Sequence, residues 1–126
     1  MKRIQAPHYW LTALLAAALA ASFAQAQPKG KSIAATGELI DMWCYYEGGD
    51  HGPSHKACAT ACAKSGMPLA ILGDDGKIYM LASPKPADPQ NSRLVDFTEA
   101  KVKVTGVHRM EKGLHTIEIK TISAAS

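Results

Sequence analysis

The sequence predicts a mainly β fold with one inserted α-helix, and three observations predict it. Five short apolar runs carry strand character and are separated by turn signals. D-D-G at Asp74–Gly76 and E-K-G at Glu111–Gly113 sit between pairs of such runs, as hairpin turns do. One alanine-rich stretch, His55 to Ser65, breaks the pattern and reads as helix.

Taken in order, residues 1–26 read as a secretory signal peptide. A basic start, M-K-R, leads into the apolar run Leu11 to Phe23, and Ala24-Gln25-Ala26 supplies a small-x-small cleavage pattern. The run is too short to be a good spanning helix. No cysteine stands at the cut, so no lipid anchor is expected, and the expected address is the periplasm or outside the cell. A single domain, 27–126, follows.

The first strand is expected over Ile33 to Cys44, with Gly37 marking a bend, and Tyr45 to Pro53 as a glycine-rich loop. Ser54 is the expected N-cap of the inserted helix. Gly66 is its expected C′ residue, and Pro68 blocks continuation. Met67 to Leu72 and Lys77 to Ala82 read as a hairpin turning at Asp75-Gly76. Ser83 to Ser92, with three prolines, reads as loop, and Leu94 to Ala100 as a short helix or loop before the fourth strand. V-K-V-T-G-V-H-R-M and L-H-T-I-E-I-K-T-I form the last hairpin, apolar residues alternating with polar ones. Apart from the inserted helix, this is the element order of a five-stranded OB-like barrel, with the helix in the connection after strand 1. A small open β-sandwich or an α+β roll uses the same strands.

Composition narrows the function. Without Lys2 and Arg3 of the leader, the 14 basic residues become 12 against 11 acidic ones, a formal net charge of +1. That is no electrostatic footprint for nucleic acid or an anionic membrane. None of the G-x-S-x-G, P-loop or H-E-x-x-H patterns occurs. A Cys58–His55 thiol pair on one helix has no evident oxyanion donors, so the sequence favours a binding protein over an enzyme.

The chemistry concentrates between Asp41 and Pro68, which hold all three cysteines, Cys44, Cys58 and Cys62, and the histidines His51 and His55. His55, Cys58 and Cys62 are spaced i, i+3 and i+7, one stripe of a helix. With Cys44 from the preceding segment they make three sulfurs and an imidazole, a tetrahedral set for copper or zinc ion. Asp41 is a candidate to orient a histidine or to cap the turn, and His51 a candidate extra ligand from the loop. In an exported protein Cys44 bonded to Cys58 or Cys62 is the competing reading, a disulfide that staples the helix to the barrel. The domain would then serve as an interaction module for a peptide, glycan or periplasmic protein partner. His108 and His115 form a second candidate pair, directly opposite each other in one register of the last hairpin.

G-E-L-I-D-x-x-C, H-x-x-C-A-x-x-C-x-x-x-G-x-P, D-G-K-I-Y-x-L and V-K-V-T-G together resemble a group of small exported bacterial OB-like domains of unassigned function. The resemblance spans nearly the whole chain after the leader. It implies a site at Asp41, Cys44, His55, Cys58 and Cys62, and supplies no activity.

Overall fold

The structure, a computed structural model, describes residues 30–125. The expected signal peptide and its cut after Ala26 lie outside the described residues. Among those residues, no helix is long and apolar enough to cross a membrane.

Five strands form one sheet that closes on itself in the order β1-β2-β3-β5-β4. They are β1 (Lys31–Asp41), β2 (Leu69–Gly73), β3 (Ile78–Leu81), β4 (Lys101–Glu111) and β5 (Leu114–Ala124). β1 pairs antiparallel with both β2 and β4, and β3 runs parallel to β5. Alternation along each strand sends one set of side chains inward. Leu39, Leu69, Ile71, Tyr79, Val102, Val104, Ile117 and Ile119 fill the ring, and Leu94 and Ala63 join them from the helices.

The long strands need relief to curve. Between Thr105 and Gly106 the β4–β5 register slips by a residue, a bulge that bends the ladder. A Cβ at Gly106 would stand 2.3 Å from the Glu118 carbonyl oxygen, so the bulge requires glycine.

Two helices, not one, stand between β1 and β2: α1 (Met42–Gly48) and α2 (Lys56–Lys64), the latter preceded by a 3₁₀ turn at Pro53–His55. The expectation that the first strand runs on to Cys44 is therefore corrected. Asp41 pairs with Leu69, and the next residue across is Pro68, which has no N–H to offer. Met42 N instead donates to the Pro68 carbonyl at 3.0 Å, and the Asp41 carboxylate accepts from Trp43 N at 3.0 Å, capping a helix. Ser54 caps nothing, because the 3₁₀ turn already encloses it. Gly66 takes a φ of 92° just past α2, the left-handed position that favours glycine.

Two turns also differ from expectation. Gly73 N donates to the Lys77 carbonyl at 2.8 Å, leaving Asp74, Asp75 and Gly76 as a three-residue loop in place of a two-residue one. In the last hairpin Lys112 and Gly113 have φ values of 51° and 83° and form the two-residue turn. Glu111 then faces Leu114, Met110 faces His115 and His108 faces Ile117. His108 and His115 are thus diagonal neighbours, not directly opposite. The helical segment before β4 starts earlier than Leu94, as α3 (Asn91–Leu94) followed by a 3₁₀ turn at Val95–Phe97.

Candidate metal centre

Four elements deliver the cluster to the end of the ring where β1 stops. Asp41 is the last residue of β1 and is fully buried. Cys44 lies in the first turn of α1. His55 ends the 3₁₀ turn, and Cys58 and Cys62 lie one helical turn apart on α2. Ala59 and Ala63, on a neighbouring stripe of α2, are buried, and α2 packs beside β1. Small side chains there allow close approach, which brings the cysteine stripe to the end of the strand.

Two sets of donors converge. One ligand atom each from Cys44, His55 and Cys58 lie within 4.8 Å of one another, and so do those from Asp41, Cys44 and Cys62. Among the described residues these are the groups with metal-holding geometry. All three cysteines are free thiols, so where the sequence also allowed a disulfide, the structure has none. Cys58 is exposed while Cys44 and Cys62 are half-buried, which leaves the cluster open to solvent on the Cys58 side.

Two polar atoms here are buried without a hydrogen-bond partner: Asp41 Oδ2 and His55 Nε2. Leaving such an atom unpaired costs about 1–3 kcal/mol. The other Asp41 oxygen is engaged as the helix cap, and the Cys44 and Cys62 thiols are the groups that face the carboxylate.

The electrostatics are those of crowded anions. The Asp41 carboxylate, with burial second, pushes the Cys44 thiol up to about 12. The same carboxylate, again ahead of burial, raises Cys62. Two thiols whose ionisation a neighbouring carboxylate opposes form an arrangement that a bound cation relieves.

Glu99 holds the scaffold and was not legible in the sequence. It is buried, and its two oxygens accept from Asp41 N at 3.1 Å and Gly52 N at 2.7 Å. One side chain thereby ties the end of β1 to the loop that starts the 3₁₀ turn. Its backbone φ is 55°, a conformation rare for a residue with a Cβ. Burial pushes the Glu99 carboxyl up, the two amides pull it down, and the neighbouring Glu38 carboxylate adds to the rise. Asn91 fixes the other end of α2, its amide nitrogen donating to the Ala63 and Met67 carbonyls at 2.8 and 2.7 Å.

The remaining candidates fall elsewhere. His51 donates to Glu38 at 3.0 Å, packs edge-on against Tyr45, and belongs to neither donor group. His108 and His115 occupy a different part of the ring, beside the β2–β3 and β4–β5 turns. Their Nε2 and Nδ1 atoms share a hydrogen bond of 2.9 Å, and their rings stack at 5.1 Å. Tyr79 meets both rings edge-on and donates its hydroxyl to Asp75 at 2.7 Å. The two imidazoles satisfy each other and join no donor group of three.

No protein-family model, curated protein or solved structure matches the chain.

Proposed function

We propose that this is a periplasmic metal-binding protein that takes copper first and zinc second at its Cys/His/Asp cluster. The observation that carries the reading is the convergence of Cys44, His55, Cys58, Cys62 and Asp41 into donor groups of 4.8 Å span. Thiolate sulfur with imidazole selects copper(I) and zinc over hard cations. Each group offers three donors, which suits copper(I), whereas a structural zinc takes four. The leader pattern over residues 1–26 is the ground for the periplasmic address. The strand order supports reading the ring as an OB-like barrel. The motifs quoted above support reading the chain as akin to the small exported bacterial domains it resembles.

The test is a titration of the reduced full chain with copper(I) and with zinc. Trp43, next to Cys44 and half exposed, reports through its fluorescence. Binding at metal concentrations on the order of micromolar, weakened by Cys58→Ser, is expected. No binding in that range, or binding unchanged by Cys58→Ser, removes the proposal.

A further inference from the structure

The two donor groups overlap in one residue. Cys44 stands with His55 and Cys58 on one side and with Asp41 and Cys62 on the other. Each group also contains its own buried polar atom without a partner, His55 Nε2 in the first and Asp41 Oδ2 in the second. Donors bonded to one ion at about 2.0–2.3 Å lie at most roughly 4.6 Å apart. Convergence at that scale stops at three residues in each group. An ion seated among Cys44, His55 and Cys58 engages His55 and not Asp41; an ion in the other group does the reverse.

We infer that the cluster holds two copper(I) ions bridged by the Cys44 thiolate. This rests on the metal-binding reading above and deepens it by fixing stoichiometry and the role of each ligand. The first ion takes Cys44, His55 and Cys58. The second takes Cys44 and Cys62, with the Asp41 carboxylate completing it. Thiolate sulfur bridges copper(I) ions readily, and Cys44 is the one residue common to both groups. Each thiol that binds gives its proton to solvent, and copper stays copper(I) throughout. Cys58, exposed, marks the side from which the ions enter.

The experiment is an anaerobic titration of the reduced full chain with copper(I) against a competing chelator. Native mass spectrometry reads copper per chain, and X-ray absorption reads whether copper has a copper neighbour. The expected result is two coppers per chain with a copper–copper vector. Cys62→Ser and His55→Ala should each lower the count to one and abolish that vector, with circular dichroism unchanged. A wild-type chain that saturates at one copper, with the count unaltered in Cys62→Ser, overturns the bridged pair and leaves the metal-binding reading standing. A chain that takes up no copper overturns both.

Discussion

At the scale of single residues, the cluster depends on side chains that are not ligands. Glu99 alone accepts the Asp41 and Gly52 amides. Replacing it with alanine strands both donors, so Glu99→Ala should destabilise the domain by about 1–3 kcal/mol. Urea unfolding measures this directly. Copper(I) affinity should fall in the same variant, because the end of β1 and the loop before α2 lose their shared anchor. Asp75 gives a pH dependence of known sign. The Lys77 ammonium, then the Tyr79 hydroxyl, hold its carboxyl below the usual carboxylate range. A lowered folded-state value means the contribution is present above the ordinary pKa and is lost as pH falls through the folded one. Wild-type stability should therefore drop on acidification below about pH 4, and the part due to this group should be missing in Asp75→Asn. Equal acid sensitivity in the two proteins would contradict the assignment.

At the scale of elements, what was legible was local and what was hidden was not. Helix α2 announces itself through Pro53, an alanine-rich body, Gly66 and Pro68, all within one stretch. Helix α1 does not. M-W-C-Y-Y continues the apolar run of the strand and carries aromatic residues that favour one. Its helical state is imposed by Pro68, which ends the ladder, and by Asp41, whose amide is held by a glutamate 58 residues away. A strand-like reading therefore put Cys44 on the ring wall, when it sits on a helix over the ring's end. The stripe of His55, Cys58 and Cys62 needed only helical periodicity to be found. Asp41 was a candidate from its place before the first cysteine, whereas the involvement of Glu99 needed the tertiary fold. The histidine register was missed by one turn position, because positive φ at Lys112 as well as Gly113 moves the turn toward β5. Two element-level outcomes follow from the packing. Asn91→Ala should free the Ala63 and Met67 carbonyls at the end of α2 and cost about 1–3 kcal/mol. Faster amide hydrogen exchange in α2 than in β4 would localise the loss. Gly106→Ala should destabilise the β4–β5 bulge, since its Cβ meets backbone and not a movable side chain.

At the scale of the whole molecule, the ring separates two clusters of imidazole chemistry. The end where β1 stops gathers sulfur, carboxylate and imidazole with unmet polar atoms. His108 and His115, near the other turns, are already paired with each other. A ligand that binds only the folded chain stabilises it by about 2.7 kcal/mol at a hundred times its Kd. Copper(I) should thus raise the thermal midpoint of the reduced protein, and a chelator should reverse the gain. The His108→Ala, His115→Ala double variant should show the same rise from its own lower baseline. Cys44 is where the account is most exposed, since every proposed ion uses it. The deciding measurement is a copper(I) competition titration of the reduced wild-type chain beside Cys44→Ser. Affinity should fall in the variant by more than the roughly 10–100-fold that loss of a supporting outer residue costs. A Cys44→Ser chain that binds copper(I) as the wild type does would contradict the account.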